Sequence, residues 1–208
     1  MTPVAVVHLD ESCLGNGREG DNPGGGGGLV EARTRGGRIE RRDVYIYAAA
    51  TTNNRMALRG ATVALELLAR KRVRLRVLIV SDSEYLVRGM REWVPSWRAR
   101  GWKRKTGPIE NLELWQALAA AAGLHGVQWT WVRGHRGHAK NEYANDLAVR
   151  AAREQIASAG LVASSFEEWL EKKRAKGLYL AYDPDATFAE LETRLASDEP
   201  FPHADSRA

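Results

Sequence analysis

Cysteine is nearly missing from this chain: Cys13 is alone among 208 residues. No internal disulfide framework can form, and a reducing, cytoplasmic setting is expected. Cys13 has no helix start or basic neighbour to activate it, so we read it as a small packed residue and not a nucleophile. Long hydrophobic runs are also missing. None approaches the roughly 18 residues needed to span a bilayer, and Met1-Thr2-Pro3 begins no signal peptide, so no membrane partner is expected. The five glycines Gly24 to Gly28 lack the Lys-Ser/Thr of a P-loop and the strand–turn–helix spacing of a dinucleotide fingerprint. They read as loop and close backbone packing.

What is present suits one or two small soluble domains with a proper core: 44% of residues are hydrophobic and 27% charged. The net charge of +5 hides an asymmetry. Residues 1–153 hold 25 basic and 15 acidic residues, whereas residues 154–208 hold 6 basic and 11 acidic ones. A strongly basic body is the footprint of a polyanion partner, most often a nucleic acid.

The chain begins with an apolar strand over residues 3–12, followed by a Gly-rich loop. Further strands are expected near 28–34, 41–50, 73–82 and 127–133. Helical period takes over after the third strand, with Ala57, Ala61, Ala64, Leu65 and Leu68 on one stripe and Thr52 or Asn53 placed to cap it. More helices are expected near 83–94, 110–122 and 140–158. This order predicts an α/β fold with a five-stranded mixed sheet: an antiparallel meander, then strands returning in parallel through helical crossovers. Residues 1–153 form that unit. Residues 154–208 read as a helical C-terminal extension with too little apolar content for a large core of its own and with a frayed end.

Asp10 and Asp82 each follow an apolar strand and precede a turn, so both fall on the rim where sites collect in open α/β sheets. Two acids there repel unless they are protonated, paired or bound to metal. Beside a basic surface they favour a hard divalent cation.

Five stretches, DESCLGN, TTNNRMALRGA, SDSEYLVRGMREWVPSWRARGWK, NLELW and WVRGHRGHAKNEYANDLA, resemble bacterial ribonuclease H of type 1 in order and spacing, over roughly residues 4–153. The resemblance implies a five-stranded mixed sheet flanked by helices. It also implies cleavage of the RNA strand of an RNA–DNA hybrid, with one or two Mg²⁺ or Mn²⁺ ions held by four carboxylates. Carried over by position, the first acid is Asp10 and the third is Asp82. The second falls on Ala57 and the fourth on Asn145, so two of the four are replaced.

Neighbours are candidates to fill the gap. Glu11 stands where the family has glycine. A regular strand would point it to the face opposite Asp10, but at a strand end its longer side chain can swing toward the vacancy at Ala57; the competing reading is a solvated turn residue. Glu66 lies on the far side of its helix. Asp146, rotated about 100° from Asn145, reads as a surface partner of Arg150. Asn145 keeps an amide oxygen that such cations accept. Losing one carboxylate forfeits roughly 8 kcal/mol of gross attraction at ~4 Å and a dielectric of ~20, so weak metal binding with a preference for Mn²⁺ is expected.

His135 occupies the family's mobile proton-moving position, and a neutral-pH imidazole suits that work. The ridge SWRARGWKRK interleaves aromatics with cations. Arg98, Arg100, Trp102 and Lys103 match the family's DNA-gripping protrusion, with Arg91 adding a further cation. Asn16, Thr52, Asn53 and Asn54 match residues that meet sugar edges and a phosphate, contacts by which RNA is told from DNA. Asp10, Glu11, Asp82, Asn145 and His135 are therefore the expected catalytic group, the first four as metal ligands. The protein is read as a monomeric hybrid-cleaving endoribonuclease with an atypical site. The alternative is a hybrid-binding module with weak or no cleavage. The extension braces the sheet, meets a partner, or extends the grip through Lys172, Lys173 and Arg174.

Overall fold

The computed structural model describes residues 2–15, 22–134 and 137–197. Among the described residues, six strands form one sheet: β1 (Val4–Cys13), β2 (Gly24–Arg33), β3 (Ile39–Ala48), β4 (Arg76–Ser81), β5 (Gly126–Trp131) and β6 (Val162–Ala163), in the order β5-β4-β1-β2-β3-β6. Strands β1 to β3 run as the expected antiparallel meander, and β4 and β5 add in parallel. The five expected strands gain a sixth. Only Val162 and Ala163 pair with Asp43 and Arg42, a stretch too short to carry any periodicity of its own.

The helices are α1 (Asn53–Ala69), α2 (Glu84–Arg88), α3 (Val94–Ala99), α4 (Leu112–Gly123), α5 (Ala139–Glu154), α6 (Phe166–Arg174) and α7 (Pro184–Ala196). A π-turn over Gly89–Trp93 joins α2 to α3, so the helical path runs past the expected end near 94 and takes in Trp97. Helix α1 buries all five residues of its expected stripe, and the Thr52 hydroxyl caps it by accepting from the Arg55 N–H at 3.3 Å.

Period-two alternation in β1 sorts the core. Ala5, Val7 and Leu9 pack with α1 and α4, while Val6 meets Phe188 and Leu195 of α7 on the other face. The glycine run is strand, not loop. A Cβ on Gly25 would lie 2.0 Å from the Ala148 carbonyl oxygen, and one on Gly27 would lie 2.2 Å from that of Ala144. The backbone of α5 therefore rests directly on the backbone of β2, which is the close packing that the glycines permit.

Among the described residues, the extension shares the core of the sheet. Phe166 and Leu170 of α6 join Leu29, Tyr143 and Leu147, and Phe188 and Leu195 of α7 cover Val6, Leu78 and Val80. All four extension residues are fully buried. Each such side chain contributes roughly 1.5–3 kcal/mol by leaving water.

Candidate active site

Strands β1 and β4 run in parallel with Leu9 opposite Ser81, so the next residues, Asp10 and Asp82, emerge side by side at one rim. Carboxylate oxygens of Asp10, Glu11 and Asp82 lie within 4.8 Å of one another. Glu11 sits opposite Gly26, and a Cβ on Gly26 would come 3.7 Å from the Met56 carbonyl oxygen. Glu11 thus leaves the strand on the α1 face, as alternation requires, and its longer side chain still reaches the group.

Asp10 is held by two donors. The Glu11 N–H gives a bond of 2.7 Å and the Asn141 amide one of 3.2 Å, while the same Asn141 nitrogen also bonds the Leu9 carbonyl at 3.2 Å. The Asp82 carbonyl accepts from the Trp131 indole at 2.8 Å, which fixes the turn after β4. Gly134 keeps the approach to Asp82 open, since a Cβ there would lie 2.3 Å from its carboxylate oxygen.

Crowding shows in the acidities. Burial, and after it the Asp82 charge, push the Asp10 carboxyl up to about 8. Burial with the charges of Asp10 and Asp82 also raises Glu11 well above the usual carboxylate range, against a hydrogen bond from Ser83. Crowding of this kind is relieved when a cation takes the place of protons. The donors are all oxygens, which suits a hard divalent ion.

The two replaced positions differ in their surroundings. Ala57 is buried in the core beside β1. Asn145 is half-buried, one helical turn past Asn141 and so on the face that reaches Asp10. Asp146 does not pair with Arg150 as expected. Its carboxylate accepts from the Trp169 indole at 2.7 Å and lies 3.8 Å from the Lys173 ammonium, while Arg150 lies 4.0 Å from Glu154 and covers the Tyr45 ring. The extension supplied partners that local spacing did not reveal.

Asn141 itself was missed, although it lies inside the motif HAKNEYANDLA. The available signal was its place four residues before Asn145, on one helix face. Cys13 is half-buried, and burial followed by the Glu11 charge raises its thiol to about 11, so it carries no thiolate chemistry at neutral pH.

On the flanking surface, Arg98, Arg100 and Lys103 are exposed and Trp102 is half-buried with a φ of 62°. Trp97 turns inward to an aromatic cluster with Tyr85, Trp93 and Trp115. Arg91 donates to the Trp129 carbonyl at 3.3 Å. Asn53 and Asn54 open α1 next to its cap Thr52. Asn16 and His135 lie outside the described residues. In α6, Lys172 and Arg174 bond Glu168 and Glu171, and Lys173 lies over Trp169.

A mixed sheet of this strand order, helices on both faces and acids on the rim between the two central parallel strands place the molecule in the ribonuclease H-like fold class. The family model for RNase H matches residues 3–153. The ribonuclease H of Aromatoleum aromaticum is 42% identical over 151 residues, covering 72% of this chain and 91% of that protein. That of Escherichia coli strain HS is 41% identical over 153 residues, covering 73% and 91%. The crystal structure of LC9-RNase H1, described as a type 1 RNase H with the type 2 active-site motif, is 50% identical with a TM-score of 0.76 and covers 100% of this chain and 92% of that one. The chain belongs to the ribonuclease H family, hydrolases that cleave RNA in RNA–DNA hybrids.

Proposed function

We propose that this protein is a divalent-metal-dependent endoribonuclease for RNA–DNA hybrids whose ligand set is Asp10, Glu11, Asp82 and Asn145. The observation that carries the proposal is the convergence of Glu11 with Asp10 and Asp82. In this reading Glu11 supplies, from a different element, the carboxylate that position 57 lacks. A bound Mg²⁺ or Mn²⁺, as one ion or two, supplies Lewis acidity at the scissile phosphate. Asn141 orients Asp10, and the Ser83 hydroxyl orients Glu11. His135 moves a proton near the leaving group. The hybrid is gripped by the exposed Arg98, Arg100 and Lys103, with Trp102 beside them, and is read by Asn16, Thr52, Asn53 and Asn54. The converging third carboxylate argues against a module that only binds.

The test is cleavage of an end-labelled hybrid under Mg²⁺ and Mn²⁺, by wild type and by Glu11→Gln. The variant is expected to lose at least ~100-fold in Mn²⁺-supported cleavage, with hybrid affinity within about twofold. Equal cleavage by the variant would remove Glu11 from the site.

A further inference from the structure

A buried ionic centre lies behind the catalytic rim, and it joins the sheet to the extension. Glu31 of β2 is fully buried, with its carboxylate 2.7 Å from the Lys140 ammonium, 2.9 Å from Arg41 and 3.3 Å from the His8 imidazole. Lys140 also donates to the Pro184 carbonyl, in the first turn of α7, at 2.9 Å. Arg41 continues outward to Glu167 of α6 and Asp185 of α7, at 2.5 and 2.6 Å.

Lys140 and Asn141 are the second and third residues of α5, whose N-cap, His138, makes no side-chain capping bond. The start of α5 is therefore held by these two side chains. One is clamped between Glu31 and the extension, and the next bonds Asp10. A continuous path runs from the Pro184 carbonyl through Lys140 and Asn141 to Asp10. Asn145 follows one turn later on the same helix face.

We infer that Lys140, clamped by Glu31 and the Pro184 carbonyl, is a positioning residue that sets Asn141 and Asn145 against Asp10, so that the extension tunes the affinity of the site for its divalent cation. Lys140 touches no substrate. It acts by fixing the axial and rotational setting of α5, and supports of this kind alter metal affinity by roughly 10- to 100-fold. Lys140, beside Arg41, meets both the Glu31 charge and a helix-start carbonyl of α7 with one side chain. A lysine with three donors does this, and a neutral residue of similar length does not.

The inference rests on the cation reading of Asp10, Glu11 and Asp82, and direct binding separates the two. Mn²⁺ is titrated by electron paramagnetic resonance into the full chain, without substrate, for wild type, Lys140→Met and Leu118→Ala. Leu118 of α4 is fully buried in the cluster with α1, apart from the α7 cluster, and serves as a control for general loss of stability. Lys140→Met is expected to weaken Mn²⁺ binding about 10-fold and to raise the Mn²⁺ concentration for half-maximal cleavage by the same factor. Its kcat at saturating Mn²⁺ should stay within about threefold. Leu118→Ala is expected to lower Tm while leaving the Mn²⁺ affinity within about twofold.

Unchanged Mn²⁺ affinity in Lys140→Met overturns the inference, and so does an equal loss in Leu118→Ala, which would mean general loosening. If Lys140→Met does not fold, Lys140→Gln is read by the same criteria, because its amide suits a polar buried site but carries no charge against Glu31. Absence of Mn²⁺ binding in the wild type refutes the cation site itself, and with it the premise.

Discussion

Asp10→Asn is expected to stabilise the metal-free protein while abolishing cleavage. Asp10 is 8% exposed and its carboxyl is raised from 3.8 to about 8. The folded state thus keeps a proton that the unfolded chain releases, and stability falls as pH rises from about 4 to about 8. At pH 7 the gross penalty is ~4 kcal/mol, at about 1.4 kcal/mol for each pH unit above the ordinary value. Asp10 shares its repulsion with Glu11 and Asp82, and the asparagine would lose one of the two hydrogen bonds that Asp10 accepts, about 1 kcal/mol. A net gain of ~1–3 kcal/mol remains, or about 3–9 °C in Tm for a chain of this size. Calorimetry in EDTA at pH 5, 6.5 and 8 would measure it. The gap between variant and wild type should widen with pH and be largest at pH 8. Parallel Tm lines across that range would refute the electrostatic account of the rim.

Three further outcomes are expected. In a Glu11→Gly background, Ala57→Glu should recover at least ~10-fold of the lost Mn²⁺-dependent cleavage in a hybrid assay, because α1 lies over the face from which Glu11 projects; no recovery would mean that position 57 does not face the rim. Gly27→Ala should cost about 1–3 kcal/mol or more, since the new methyl would lie 2.2 Å from the Ala144 carbonyl oxygen; a thermal melt shifted by less than ~1 °C would contradict it. Phe188→Ala, at a fully buried site under the sheet, should cost about 3–5 kcal/mol by denaturant titration, and a loss under ~1 kcal/mol would show that α7 is only loosely seated.

Much of this molecule was written locally. The apolar runs ending in Asp10 and Asp82, the small-residue stripe of α1, its Thr52 cap and the order of strands and helices all follow from period and capping, which depend on residues a few positions apart. Alternation also sets Glu11 on the face opposite Asp10. What alternation does not contain is distance between elements. That Glu11 nonetheless joins Asp10 and Asp82 depends on how β1 and β4 align. That five glycines are strand depends on α5 lying on them. That Asp146 pairs with Trp169, that Asn141 holds Asp10, and that residues beyond 153 bury four large side chains against the sheet depend on contacts between segments far apart in the chain. Sequence alone determined which elements form and which faces they bury; tertiary packing decided which side chains meet, because short-range periodicity sets a residue's direction and only the docking of distant elements sets what stands opposite it.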